Sequence, residues 1–566
     1  MRSLIPALGA LPVPSLILAL ILAGGAAAKS PVETADLVIW GGPIHTGVET
    51  KPEAQAVAVR TGRIAYVGDR KGAQAQVGPG TRVIDLKGAA LFPGFTDAHA
   101  HLRGIGEREL SLNLEGAKSA AEATARVKAY LADRKSTGPV WGRGWIETGW
   151  PEGRFLERGD IDPIAPDQPV LLVRADGHAL TANTAALKAA GIDETTKAPA
   201  GGEILKDKDG RLTGMLVDNA MSLVAGLQQR PTEADKREAY AAAFKVETAY
   251  GWTGVHNMSV DWADVALLEN LAAKGQAPLR VYNAVDAVEA GPLFEGGPRA
   301  SPDGRITTRA IKLYADGALG SRGAALFEPY EDAHATKGLI RTPPEEMKAA
   351  MRKAYASGIQ VSTHAIGDRG NAVVLDLYEQ VFAETPPNVR RMAPRWRIEH
   401  AQIIRPADIP RFAQDGVIAS MQPSHAIGDL HFAPARLGDA RLDGAYAWES
   451  LLKSGAVVVG GSDAPVERGD PLIEFYAAVA RKDLSGFSTP AWRPKEALSR
   501  AEALKLFTSS AAYARFAEDE LGTIEVGKRA DLSGFSADLM TIPAEEIPKA
   551  HAVLTVVDGQ VVYETP

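Results

Sequence analysis

Two kinds of apolar pattern alternate along most of the chain. Short runs rich in Val, Ile and Thr, bounded by Gly, Pro or charged residues, read as strands, and amphipathic stretches such as "PEEMKAAMRKAYAS" at 344–357 read as helices. The runs fall at 94–99, 252–257, 279–285, 309–314, 359–364, 396–400, 417–421 and 457–463, most of them followed by a helical stretch. Eight strand–helix units in succession predict an α/β protein built on a parallel (β/α)8 barrel.

The two chain ends follow a different rhythm. "ADLVIWGGPIHTG", "AQAVAVRTGRIAYVG" and "TRVIDLKGAALFPG" near the start, and "GTIEVGKRADLSGF" and "AVLTVVDGQVVYE" near the finish, are short β-rich runs separated by Gly-containing turns. Each set alone has too few strands to bury a core. Residues 35–92 and 516–566 are therefore expected to combine in one small β-sandwich domain, flanking a barrel at 93–515. The gap between the first two barrel strands, from 99 to 252, is too long for a simple connection. It carries a helical stretch, "SAAEATARVKAYLADR", and an apolar run, "PVLLVRADGH", so 110–245 reads as an inserted subdomain over the barrel mouth.

Residues 1–28 stand apart. Arg2, the apolar segment Ser15–Ala23 and the small residues of "GGAAAK" form the pattern of an export signal, with cleavage expected after Ala28. Pro6, Pro12 and Pro14 keep the apolar run shorter than the ~20 residues of a spanning helix. No later stretch is long and apolar enough to span. The expectation is an exported protein, periplasmic or secreted, with no stable membrane span after cleavage; an uncleaved N-terminal membrane anchor is the alternative.

Composition narrows the chemistry. The chain has 566 residues, no cysteine and a formal net charge of -8. The missing thiols exclude disulfides, thiolate metal sites, cysteine nucleophiles and a lipidated cysteine anchor. The acidic balance, with no basic block, argues against nucleic acid as a partner. An oligomer is compatible with the sequence, which does not specify one.

Residues able to bind a metal recur at the C-terminal ends of the proposed strands. "GFTDAHAHL" at 94–102 places His99 and His101 two residues apart, on one side of an extended segment. Lys312 lies in the fourth strand between outward-facing Ile311 and Leu313. His364 ends the fifth strand, His400 the sixth and Asp463 the eighth. Each has an ordinary reading alone: a core imidazole for His364, a snorkelling edge residue for Lys312, a helix cap for Asp463. Together, at matching ends of strands that open on one face of a barrel, they read as a metal site.

The motifs "FPGFTDAHAHL", "IKLYADGALGSRGA", "STHAIGDRGN", "RIEHAQI", "MQPSHAIGD" and "VGGSDAPVERGDPL" resemble the amidohydrolase superfamily, in its amidohydrolase family 3 branch, which includes N-substituted formamide deformylase-like enzymes. The likeness runs from about Ala35 to the C-terminus. It includes "WGRGWIETGWPEGRF", "PVLLVRADGHALTANTAAL" and "GGEILKDKDGRLTG" in the insert. One departure is Ser533, where the family's "GKxADLvvl" run has an apolar residue.

The resemblance implies that His99, His101 and Asp463 hold one metal ion and that His364 and His400 hold a second. Lys312, carboxylated by carbon dioxide, would bridge them. One or two divalent ions are expected, zinc first, with manganese or iron fitting similar ligands. His178, in "RADGHALTAN", would reach a substrate oxygen from the insert. Arg322 would either pair with an anionic substrate group or fix its own loop, and His425 would line the pocket. His256 is expected to be a core imidazole or to stand behind the ligands, and His45, His334, His431 and His551 to serve surface or β-domain roles.

The expected activity is metal-dependent hydrolysis of a non-peptide, amide-like C–N bond in a small molecule, through a metal-activated hydroxide. Asp463 would move the proton and His178 would stabilise the oxyanion. The aromatic residues of "WGRGWIETGW" point to an apolar N-substituent. Ester, lactone or carbamate hydrolysis at the same site is the nearest alternative. A metal-binding protein without turnover is the more distant one.

Overall fold

The computed structural model describes residues 33–134, 138–147, 150–175, 179–199, 202–227, 231–384 and 394–565. The export signal expected at 1–28 lies outside them. Among the described residues no helix is long and apolar enough to cross a membrane.

Eight parallel strands form the centre. They are β1 (Phe95–Ala100), β2 (Trp252–Val260), β3 (Arg280–Asp286), β4 (Ile306–Tyr314), β5 (Gln360–Ala365), β6 (Arg397–His400), β7 (Ile418–Met421) and β8 (Val458–Gly460). Each pairs with the next in chain order. Side-chain alternation sorts their residues into two environments. On β4, Ile311 and Leu313 share an outer apolar core with Met347, Met351 and Tyr355 of the helix Pro344–Ser357. Lys312 therefore faces the barrel interior. That helix carries Pro at its start, Glu345 and Glu346 in its first turn, and Gly358 at φ 71° as its stop, each favouring its own position.

Loop backbone closes the barrel between β8 and β1. Asp463 N donates to His99 O at 2.7 Å, and His101 N donates to Ala464 O at 2.8 Å. Beneath them the buried Asp97 carboxylate accepts from Ser462 N at 3.0 Å and Ser462 Oγ at 2.5 Å. Burial pushes the Asp97 carboxyl up to about 6 against these hydrogen bonds. Gly461 is needed at this seam, because a Cβ there would lie 2.4 Å from His99 N and 2.8 Å from Asp97 Oδ1.

The segment between β1 and β2 carries a six-stranded sheet with Leu112–Asn113 and Gly202–Lys206 at its edges, and with its own core of Leu114, Trp145, Leu156, Leu172 and Met215. The helix Glu233–Tyr250 starts at a Thr232–Asp235 capping box and ends at Gly251, φ 100°. It packs Tyr240, Ala243 and Phe244 with Ile105 and with Val255 of β2. This helix is part of the barrel wall, so the last stretch of the expected 110–245 insert belongs structurally to the barrel.

Both chain ends join one mixed eight-stranded sheet, in which Leu532–Phe535 pairs antiparallel with Ala90–Pro93. Strand Leu37–His45 is irregular between Trp40 and Ile44. Ile39, Val57 and Ile84 from the N-terminal strands share a core with Leu532, Leu554 and Val556 from the C-terminal ones. The departure at Ser533 has a physical reason. Its buried Oγ accepts from Phe95 N at 2.9 Å and donates to Gly251 O at 2.7 Å, tying the β domain to the starts of β1 and β2. Arg280 of β3 adds a buried ion pair with Asp531, at 2.5 Å, and a contact with Asp558 at 3.0 Å.

The seam makes the first testable outcome. Gly461→Ala should destabilise the protein by roughly 1–3 kcal/mol, the usual scale of overpacking. Gly80→Ala, with nothing within 4 Å of its new Cβ, should stay within about 0.5 kcal/mol of the parent. Chemical unfolding of the two variants side by side measures this. Equal midpoints would show that the β8–β1 closure is not tight.

Candidate metal centre

The C-terminal ends of the barrel strands bring seven of the expected residues into one cluster. His99, on the interior face of β1, is fully buried, and its Nδ1 donates to Glu399 Oε2 at 2.6 Å. His101 lies just past β1, at the N-terminus of the helix Leu102–Leu110, and its Nδ1 donates to the Met258 carbonyl at 3.1 Å. His400 ends β6, and its Nδ1 donates to Gln422 Oε1 at 2.8 Å. With each Nδ1 engaged, each Nε2 is left with a free lone pair, the arrangement of a metal-binding imidazole.

The Nε2 atoms of His99 and His101 converge on Asp463. Its Oδ1 is 3.3 Å from His99 Nε2 and 3.1 Å from His101 Nε2. Its Oδ2 is 3.7 Å from Nε2 of His425, on the helix Pro423–Asp429 directly after β7. Two donor groups result, His99–His101–Asp463 and His400–His425–Asp463, each with its ligand atoms within 4.8 Å of one another. Burial alone would raise the Asp463 carboxyl, but His99 and His101, when protonated at Nε2, hold it well below its ordinary range. Asp463 is thus an anion at neutral pH.

Lys312 reaches this cluster from β4, with Nζ 3.3 Å from His99 Nε2. Burial pushes its ammonium below the usual lysine range, against the pull of the Glu399 and Asp463 carboxylates. The His364 ring lies 4.6 Å from that of His400. Its Nε2 is 3.5 Å from both Gly317 O and Asp316 Oδ1. Burial and the Lys312 charge push His364 down to about 3, and burial above all also lowers His400. Both imidazoles are neutral, the state in which they can act as ligands.

Backbone geometry sets these side chains at the mouth. His400 has φ 73° and Asp463 φ 59°, a left-handed conformation uncommon outside glycine and concentrated at functional sites. Asp316 accepts from the amides of Ala325, Ile366 and Gly367 at 2.8–2.9 Å, pinning the loops after β4 and β5.

Other expected residues are placed elsewhere. Arg322 stays within its loop, where its guanidinium is bidentate with Asp332 at 2.9 and 3.1 Å. His178 lies outside the described residues. His256 is a buried imidazole whose Nδ1 accepts from Arg397 Nη1 at 2.7 Å. The supporting layer was missed by sequence reasoning: Glu399 and Arg397, Gln422 and the Met258 carbonyl. One signal was present in "RIEH", where two charges two residues apart share one face of a short buried strand and so must find partners inside.

Comparison with known proteins agrees with this geometry. The amidohydrolase family 3 profile matches residues 82–563. YtcJ of Bacillus subtilis is 35% identical over 543 residues, covering 93% of this chain and 99% of its own. The N-substituted formamide deformylase of Arthrobacter pascens is 27% identical, covering 94% and 98%. The crystal structure of an uncharacterized metal-dependent hydrolase from Pyrococcus horikoshii superposes with a TM-score of 0.75 at 26% identity, over 90% of this chain and 99% of that one. A barrel with histidines and an aspartate converging at its mouth, and a match of this extent, place the chain in the amidohydrolase family, in its family 3 branch.

Proposed function

We propose that the protein is a metal-dependent hydrolase of non-peptide, amide-like C–N bonds in small molecules. The observation that carries this reading is the pair of Nδ1-anchored imidazoles, His99 and His101, whose Nε2 atoms meet at Asp463, with His400 and His425 grouped on the same carboxylate. His99, His101 and Asp463 would hold one divalent ion. His400, with His425 or His364, would complete a second position. Imidazole and carboxylate donors without thiolate suit zinc, and also manganese or iron. When bound, the metal supplies Lewis acidity toward a carbonyl oxygen and lowers the pKa of a water to near neutrality.

The chain's own residues supply the remainder. Asp463, ionised and beside the donor atoms, accepts the proton of the attacking water and returns it to the departing amine, which leaves only when protonated. Lys312 is held where its neutral amine can react with carbon dioxide. That step forms an N–C bond at the expense of one C=O π bond of carbon dioxide, releases one proton and turns the neutral amine into an anionic carbamate, whose oxygens would suit divalent cations. The deformylase relative, by its name, acts on an N-substituted formamide, which favours an amide over an ester as the preferred substrate class here.

Four outcomes test this reading. Elemental analysis of the purified protein should find roughly one to two divalent transition-metal ions per chain. A paired His99→Ala, His101→Ala variant should lose metal and activity together. Lys312→Ala should also lose both, with partial recovery in short carboxylic acids; full activity in this variant would show an ordinary strand lysine. Asp463→Asn keeps the shape and one oxygen donor but cannot carry the proton. It should retain much of the metal and lose on the order of a hundredfold in turnover. Turnover close to that of the parent would exclude Asp463 as the proton carrier.

A further inference from the structure

Strand β2 does not run evenly to the barrel mouth. Between the pairs Asn257–Asn283 and Val260–Val285 it advances three residues while β3 advances two, so one extra residue bulges from the ladder. The bulge holds Met258 and Ser259, and Ser259 takes φ 57°, a left-handed conformation that costs energy for a residue with a Cβ. At a bulge the extra residue is left unpaired, which frees backbone groups for side chains. Here the Met258 carbonyl accepts from His101 Nδ1 at 3.1 Å. The irregularity of β2 therefore orients a residue of the metal centre.

A strained turn persists only where its surroundings hold it. Ser259 Oγ lies 2.5 Å from the hydroxyl of Tyr314, the last residue of β4. Tyr314 donates in turn to Asp286 Oδ2 at 3.3 Å, so it accepts from Ser259. Asp286 ends β3, and its other oxygen accepts from Val288 N at 3.2 Å. One phenol thus joins the mouth ends of three adjacent strands. Its ring is fixed as well: the Arg341 guanidinium lies 4.9 Å from the ring centroid, Lys312 Nζ 5.5 Å, and the His364 ring 6.2 Å. Tyr314 therefore reaches both halves of the metal centre, Lys312 and His364 by its ring and His101 through Ser259 and Met258.

We propose that Tyr314 is a positioning residue of the metal centre: its hydroxyl holds the Ser259 turn, which aims the Met258 carbonyl at His101 Nδ1 and so presents His101 Nε2 to the metal. The inference rests on the metal-centre part of the hydrolase reading, and it adds a residue that supplies no ligand atom. A group that fixes the far nitrogen of a ligating imidazole sets both ring orientation and basicity, so losing it weakens metal binding.

The test measures zinc affinity of the full chain by competition with a chromophoric chelator, a readout that needs no turnover. Tyr314→Phe keeps the ring and deletes the bond to Ser259, and Ser259→Ala deletes the same bond from the other side. Each should weaken zinc binding by roughly tenfold or more, the scale for groups that orient metal-bound imidazoles. Because the two changes remove one bond, the double variant should be little worse than either single one. Amide hydrolysis by Tyr314→Phe should fall at limiting zinc and recover largely in excess zinc, which damage to the fold would not do. Tyr330→Phe removes a buried hydroxyl bonded to Ala324 O at 2.8 Å, and should leave zinc affinity within about twofold of the parent. Unchanged affinity in Tyr314→Phe and Ser259→Ala, additive losses in the double variant, or an equal loss in Tyr330→Phe would overturn the inference and leave the hydrolase reading standing. Zinc affinity that depends on Tyr314 in a protein cleaving no amide would support the inference and overturn the hydrolase reading. A parent chain that binds no zinc would overturn both.

Discussion

The interior of the barrel depends on one carboxylate. Glu399, fully buried, lies between the Arg397 guanidinium, at 2.7 Å, and His99 Nδ1, at 2.6 Å. Burial would raise its carboxyl, but the Arg397 charge and the His99 hydrogen bond hold it well below its ordinary range. Arg397 in turn donates to Ala98 O of β1, His256 of β2 and Ser420 of β7. One ion pair thus links four strands and orients the first imidazole of the site. Removing either partner would leave an unpaired charge in the barrel, a loss of roughly 3–5 kcal/mol.

The mouth inherits its precision from that network. His99 is held from below by Glu399, while its backbone carbonyl receives the Asp463 amide across the β8–β1 seam. The contact that closes the barrel therefore also sets the distance between an imidazole and the carboxylate proposed to share its metal. Left-handed backbone at His400 and Asp463 is tolerated because the surrounding hydrogen bonds over-determine both positions. Fold and chemistry share residues here, so the site cannot loosen without the barrel opening.

Much of this was legible in the chain. Apolar runs bounded by turn residues located the barrel strands within a few residues: 94–99 became Phe95–Ala100, and 359–364 became Gln360–Ala365. Long, buried parallel strands leave a clear apolar signature, and polar residues at their ends stand out against it. The final strand stops at Gly460 and not at Asp463, because Asp463 turns into the left-handed region to face the imidazoles. Strand alternation assigns Glu399 and His400 to opposite faces, which concealed the role of Glu399. His400, the last residue of the strand, has φ 73° and turns toward the mouth, while Glu399 remains inside. Arg322 and His425 lie in loop and helix segments whose course depends on tertiary contacts: Asp332 holds the first in its loop, and the helix after β7 brings the second to Asp463.

The central claim is that the Nε2 atoms of His99 and His101, with the Asp463 carboxylate, hold a catalytic metal while Glu399 and Met258 hold the opposite ring nitrogens. Anomalous diffraction from crystals of zinc-loaded protein tests it most directly. The account predicts an anomalous peak about 2.0–2.2 Å from both Nε2 atoms and from an Asp463 oxygen, with the Nδ1 contacts to Glu399 and the Met258 carbonyl kept. A peak ligated through Nδ1, or one elsewhere on the protein with these imidazoles unligated, would contradict it.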